Sequence, residues 1–284
     1  MIEKILLADS GTGQAEAMLK SLMDLPIIQK ASVTVLHVVS SQVTAEGMTA
    51  KWEEGGKVLA RSIQSLQLDP DKTTAMLREG DPKDIVCRVA DEIDADLIIM
   101  GSRGLKRLQS ILENSVSQYV FQLAGRPMLL VKDDIYVKRI KTILVAVDKS
   151  AAAQECLDVA IALLRDVTGG QLILVHANPD LTSKLDEQLS TRGEQDPVLA
   201  PAIAKAKQYG IKYRCEAPEG KPGLRICQLA ESLNADLLML GSPDRRPSIA
   251  KGLPDLDRLL GQSLSDYVRV YANCPVMLVR HPSA

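Results

Sequence analysis

The stretch "DADLIIMGS", Asp94–Ser102, returns 140 residues later as "NADLLMLGS", Asn234–Ser242. A four-residue apolar run that ends in Gly-Ser has no alternation of polar and apolar positions. That pattern suits a strand of a parallel sheet covered on both faces. Working outward, "KILLADSGTGQAEAMLKSLM" (Lys4–Met23) reappears as "TILVAVDKSAAAQECLDVAI" (Thr142–Ile161). Downstream, "ENSVSQYVFQLAGRPMLLVK" (Glu113–Lys132) reappears as "GQSLSDYVRVYANCPVMLVR" (Gly261–Arg280). The offset is 139 at Asp9/Asp148, 140 at Gly80/Gly220 and Gly101/Gly241, and 148 at Ser115/Ser263. A repeat of this length is a domain duplication, since solenoid units run roughly 20 to 50 residues. The second copy has gained about eight residues in one loop, by the same offsets. Two domains are expected, at 1–134 and 139–284.

The chain has 284 residues, 34 basic and 36 acidic. Near-balanced charge gives no electrostatic footprint for nucleic acid or an anionic membrane. No apolar run approaches the roughly 18 residues of a membrane span. The N-terminus enters a strand-like run at once, so a cytoplasmic protein is expected. Five cysteines, at 87, 156, 215, 227 and 274, include no C-x-x-C pair. Cys87 and Cys227 are repeat equivalents inside apolar helical patterns and read as buried small hydrophobes. His37 and His176 follow apolar strands with no third ligand nearby in the sequence, so no metal site is expected.

Each copy alternates β-branched runs with helical periodicity, the signature of an α/β layered domain with right-handed crossovers. Strands are expected at 4–8, 32–39, 73–77, 96–100 and 128–131, and helices at 13–23, 44–66, 83–93 and 115–123. Copy two repeats the strands at 142–147, 171–177, 212–215, 236–240 and 276–279. The join, 133–139, is short and polar. The last strand of each copy is its freest edge, and an exposed apolar edge invites pairing. An intrachain pseudo-dimer through these edges is expected, and a homodimer is open.

In an open parallel sheet, ligands bind beyond the carboxyl ends of strands where strand order reverses. Asp9 closes the first strand and Gly101 the fourth. Gly101 opens "GSRGLKRLQSILENS", which carries Gly104 and ends at Asn114-Ser115 where a helix starts. Glycines let a backbone approach phosphate oxygens, and a helix N-terminus supplies free N–H groups. Ser115 offers a hydroxyl, and Arg103 or Lys106 a charge. Asp9 suits ribose hydroxyls or a divalent cation. The plainer alternative is an ordinary strand–helix loop in which Asn114 is the N-cap.

Taken together, "GSRGLKRL…NSVSQYV…PMLLV", the aspartate after strand one, "VLHV", "EGDP" and "DLIIMGSRG" closely resemble the universal stress protein family. The resemblance covers both copies. It implies two flavodoxin-like, Rossmann-like domains, each a five-stranded parallel sheet of order 3-2-1-4-5 with helices on both faces. It implies ATP or another adenine nucleotide as ligand, with Mg2+ as the accompanying cation. For copy one it implies Asp9 at the ribose or metal, the Val38 backbone at adenine, and Ala8 and Met100 lining the pocket. Gly101, Arg103, Gly104, Ser115, Val116 and Ser117 would surround the phosphates. Asn114 stands where the family motif Gly-x-x-Gly-x9-Gly-Ser/Thr has its last glycine. As an N-cap its side chain would compete with phosphate for the same amides.

Copy two keeps Asp148, Gly241 and Ser263, but Asp244 and Gln262 replace the second and third glycines, and strand two ends in Ala177. The resemblance therefore implies a weaker site there. Neither copy has a Gly-x4-Gly-Lys-Ser/Thr loop or a paired acidic metal site beyond Asp9, and the chain has only three histidines. No catalytic residue is assigned. Three readings stand: a nucleotide-binding regulatory module with an unknown protein partner, an interaction scaffold with decayed sites, and a slow ATPase.

Overall fold

The computed structural model describes residues 2–11, 13–42, 44–102, 115–177, 193–242 and 263–280. It divides into two compact units, Met1–Val137 and Lys138–Ala284. The first contains β1 (Lys4–Ala8), α1 (Gln14–Met23), β2 (Ser32–Val39), α2 (Ala45–Leu66), β3 (Thr73–Glu79), α3 (Pro82–Glu92), β4 (Leu97–Ser102), α4 (Val116–Leu123) and β5 (Met128–Lys132). These strands lie in the order β3-β2-β1-β4-β5, with every neighbouring pair parallel. The second unit contains β6 (Thr142–Ala146), α5 (Ala151–Leu164), β7 (Gln171–Val175), α6 (Ala200–Gln208), β8 (Lys212–Glu216), α7 (Pro222–Ser232), β9 (Leu237–Ser242), α8 (Leu264–Tyr271) and β10 (Val276–Arg280). Its order, β8-β7-β6-β9-β10, is the same plan, again parallel throughout. The α/β class and the 3-2-1-4-5 order expected for each copy are what the structure has. No helix among the described residues is long and apolar enough to cross a membrane.

Why the opening stretch decides the fold is visible at its two polar residues. Asp94 and Asn234 hold left-handed backbone, φ 52° and 50°, directly beyond α3 and α7. Asp and Asn tolerate that conformation better than other residues with a Cβ. It turns the chain from helix into strand. Two residues on, the Asp96 carboxylate accepts the N–H groups of Glu3 (2.8 Å) and Lys4 (2.9 Å). Asp236 accepts those of Lys141 (3.0 Å) and Thr142 (2.8 Å). Each carboxylate thus ties the entry of the fourth strand of its unit to the entry of the first. The apolar residues that follow, Leu97–Met100 and Leu237–Leu240, are all buried. β3 has none of this: its burial pattern has no fully buried position, as an outer strand of the order should.

The "EGDP" motif also has a local cause. Gly80 takes φ 140°, Asp81 caps α3 by accepting the Lys83 amide (2.9 Å), and Pro82 occupies the first helical turn. Each piece is an ordinary helix-start device. Copy two keeps Gly220 (φ 106°) and Pro222 but places Lys221 at the cap, where no side-chain bond forms.

One expectation is corrected. Cys87 and Cys227 are half-buried, not core residues. In α3 the buried positions are Ile85, Val86, Val89 and Ala90, and Cys87 falls on the flank of that stripe. Cys156, Cys215 and Cys274 are the buried cysteines among the described residues. Burial raises the Cys156 thiol above its ordinary range and lifts Cys215 to about 11, with Glu194 and Glu216 adding to the latter. Both are therefore neutral thiols at physiological pH.

The paired carboxylate ties carry a prediction. Asp96→Ala removes a charged acceptor from two backbone donors and is expected to cost about 1–3 kcal/mol. Asp236→Ala should cost a similar amount in the second unit. Denaturant unfolding of each variant checks this, and midpoints equal to the wild type would refute it.

Candidate functional site

The carboxyl ends of β1 and β4 are adjacent, with Ala8 opposite Met100, and the connections from these two strands run to opposite sides. Strand order reverses here, so the crevice lies at this edge. Ala8 and Met100 are buried at 5% and 8% exposure, which leaves little of either side chain as open lining. Gly101 is half-buried and extends β4 beside Val131. Val38 is half-buried in β2, opposite Arg78 of β3.

Asp9 follows β1 and is buried. Its Oδ1 accepts the Gly11 amide at 2.7 Å, and its Oδ2 accepts from the Ser62 hydroxyl. The Asp9 amide donates to the Leu36 carbonyl (2.9 Å), and His37 Nδ1 contacts the Asp9 carbonyl at 2.8 Å. A carbonyl only accepts, so Nδ1 carries the imidazole proton in this contact. Ser62 is brought there by α2. Gly55, Leu59, Ser62 and Leu66 form the buried stripe of that helix, spaced four, three and four residues apart. Gly55 makes the approach feasible: a Cβ there would lie 2.8 Å from Val39 Cγ1 and 2.9 Å from Leu77 Cδ1. Ser62 also reaches Glu16 Oε1 (2.7 Å) and the Val58 carbonyl (3.1 Å), and Ser65 donates to Glu16 Oε2 (2.9 Å). Nothing in local sequence periodicity singled out Ser62 or Glu16. The one available signal was a lone serine in the apolar stripe of a long helix.

The other wall is the start of α4. Its N-cap is Ser115, not Asn114: Ser115 has extended backbone and its Oγ accepts the Gln118 amide at 3.1 Å. The expected competition between an Asn114 cap and a ligand therefore loses its premise. The reason is the hydroxyl of the next residue, which is as good a cap and sits one step closer to the helix. Ser115 and Ser117 hydroxyls are 3.2 Å apart. The amides of Val116 and Ser117 precede the first intrahelical acceptor and carry the positive end of the helix dipole. Gln118 Oε1 is buried and has no hydrogen-bond partner among the described residues. Arg103, Gly104, Lys106 and Asn114 lie outside the described residues, as do Asp244 and Gln262 of the second unit.

The second unit has the same backbone frame and a different chemistry. Asp148 is exposed, and its Oδ1 accepts the Ser150 amide (2.8 Å). Ala177 lies just beyond β7 and is half-buried. Gly241 is pressed against α5: a Cβ there would stand 2.3 Å from the backbone carbonyl of Ala152. Ser263 caps α8 by accepting the Asp266 amide (3.2 Å), and its hydroxyl donates to Asp266 Oδ2 (2.8 Å). A carboxylate thus occupies the positive end of α8, where the first unit has neutral Gln118. His176 bonds through Nδ1 to Asp196 Oδ2 (2.7 Å) instead of a backbone carbonyl.

A model of the universal stress protein family matches twice, over residues 1–132 and 139–280. The chain belongs to that family. A universal stress protein of Synechocystis is 28% identical over 135 residues, covering 46% of this chain and 86% of the relative. One from Methanothermobacter thermautotrophicus is 30% identical over 143 residues, covering 46% of this chain and 97% of the relative. The crystal structure of a universal stress protein from Archaeoglobus fulgidus covers 100% of this chain and 98% of its own, with TM-score 0.75 and 22% identity. That last likeness is one of fold. This chain is thus a tandem universal stress protein, with the family pattern present once in each unit.

The repeats also differ beneath the helix. Phe121 of α4 is buried at 1% exposure, and its equivalent in α8 is Arg269, buried at 7%. Arg269 Nε has no hydrogen-bond partner among the described residues, and the nearest carboxylate oxygen, Asp266 Oδ1, is 4.0 Å away. Burial pushes the guanidinium below its ordinary pKa, with Asp266 opposing. A buried cation without good hydrogen bonds destabilises a fold. Arg269→Phe, which installs the residue of the first unit, is expected to raise stability by about 1 kcal/mol or more. Thermal denaturation checks this, and a lowered midpoint would refute it.

Proposed function

We propose that the first unit binds an adenine nucleotide, ATP foremost, and that the protein is a nucleotide-responsive regulatory module read by a protein partner. One observation carries the reading. β1 and β4 end side by side where strand order reverses, Asp9 directly follows β1, and the helix after β4 starts at Ser115 with first-turn amides that have no acceptor within the helix. Donors of this kind suit phosphate oxygens, and a carboxylate suits ribose hydroxyls. The neutral Gln118 leaves the dipole end open to an anion.

The second site is degenerate in this reading. Asp266 already neutralises the start of α8, and a phosphate there would face a carboxylate. A protein-held Mg2+ does not fit the described residues of the first unit. Both Asp9 oxygens already have donors, and no group of three metal-ligating side chains occurs among the described residues. Any Mg2+ would enter with the phosphates.

The scaffold reading draws on one observation of its own: Asp9 is satisfied by its own chain. The two readings separate in a single experiment. Purified protein is denatured and the supernatant examined for adenine nucleotide by mass spectrometry, with calorimetric titration of Mg-ATP alongside. Nucleotide released, or saturable binding, is expected. Neither result at millimolar Mg-ATP would leave the scaffold reading.

Gln118→Asp transplants the carboxylate of the second unit into the first. A like charge at the dipole end opposes phosphate by about 1 kcal/mol or more, so Mg-ATP should bind about fivefold or more weakly. Unchanged affinity would show that the ligand does not use the start of α4.

A further inference from the structure

The Ser62 hydroxyl has one proton and three acceptors within reach: Asp9 Oδ2, Glu16 Oε1 at 2.7 Å and the Val58 carbonyl at 3.1 Å. Asp9 is its closest partner. Both residues are buried, Ser62 at 2% and Asp9 at 5% exposure. The hydroxyl and the helix that carries it therefore stand on the carboxylate oxygen that a ligand hydroxyl would need. The second unit supplies the contrast. Asp148, at the equivalent position, is exposed, and its one hydrogen bond among the described residues is the turn amide of Ser150.

We propose that Ser62 is an internal stand-in for a ribose hydroxyl on Asp9, and that α2 is an autoinhibitory latch on the nucleotide site. This rests on the nucleotide reading of the first unit. The exchange is one hydroxyl for another, so Asp9 keeps a hydroxyl donor in both states. Ser62 keeps acceptors as well. Val58 O is the acceptor a helical serine ordinarily uses, four residues back. Glu16 Oε1 is already within reach. Release therefore strands no buried group, which is the usual penalty for breaking a buried hydrogen bond. Ser65 holds the same segment of α2 to Glu16 without touching Asp9, so it separates the latch from general docking of the helix.

The test compares Mg-ATP with Mg-2′,3′-dideoxy-ATP by calorimetry on wild type, Ser62→Ala and Ser65→Ala, with thermal midpoints as a folding check. Removing the competing hydroxyl should tighten Mg-ATP about tenfold in Ser62→Ala, the scale of one hydrogen bond to a charged group. The dideoxy nucleotide, which has no hydroxyl for Asp9, should show no such gain. Ser65→Ala should leave both affinities within about twofold of wild type. Binding of Mg-ATP by Ser62→Ala alone would also support the latch. Equal gains for both nucleotides, or wild-type affinity in a folded Ser62→Ala, would overturn the latch while leaving the nucleotide reading intact. No binding of either nucleotide by any of the three proteins would overturn both.

Discussion

Two strands buried along most of their length, β1 and β4, lie side by side in parallel register, and the Asp96 tie and Asp9 sit at their two ends. Apolar runs of this kind leave no room for polar groups on either face. Backbone and side-chain polarity is therefore concentrated at the two edges of the sheet. At the entry edge, Asp96 closes the pair by accepting two amides from the start of β1. At the exit edge the connections diverge, Asp9 directly follows β1, and the helix after β4 starts at Ser115. The entry edge is committed to stability. At the exit edge the first-turn amides of α4 have no acceptor within the helix.

Duplication makes the division of labour visible. Groups that set backbone path are kept in both units: Asp96 and Asp236, Gly80 and Gly220, the serine caps at 115 and 263. Groups that set the chemistry of the exit edge differ: buried Asp9 against exposed Asp148, Gln118 against Asp266, Phe121 against Arg269. A backbone determinant acts through bonds within a few residues or across one strand pair, so it survives changes elsewhere. The charge of the crevice is a sum over several elements and shifts with any one of them.

Strand positions were readable from sequence because buried parallel strands are continuous apolar runs, and the repeat supplied each of them twice. The ends were less exact. β4 and β9 run on through Gly-Ser, because their ladders with β5 and β10 continue to Lys132 and Arg280. Strand order came from resemblance and not from periodicity, which is silent on neighbours. The placement of Asp9 at a strand end and of Ser115 at a helix start was legible because both are local properties. Ser62 was not, since it meets Asp9 across 53 residues of chain through the packing of α2. Asp266 was not singled out, since its effect depends on the helix start at Ser263 that puts it in the first turn.

The state of Asp9 bears on what kind of site this is. A buried carboxylate must be hydrogen-bonded at all times, or it costs several kcal/mol, on the order of a broken buried pair. A rigid pocket would meet that need with fixed donors and present the ligand with a finished surface. Here one of the two donors is the backbone amide of the following turn, and the other is a hydroxyl on a separate helix with two further acceptors of its own. The first cannot leave without unravelling the turn at Gly11. The second can move without stranding any group. A carboxylate held half by fixed backbone and half by a replaceable side chain couples the occupancy of the crevice to the position of a 22-residue helix. That coupling gives a binding event at the sheet edge a route to the outer surface of the unit.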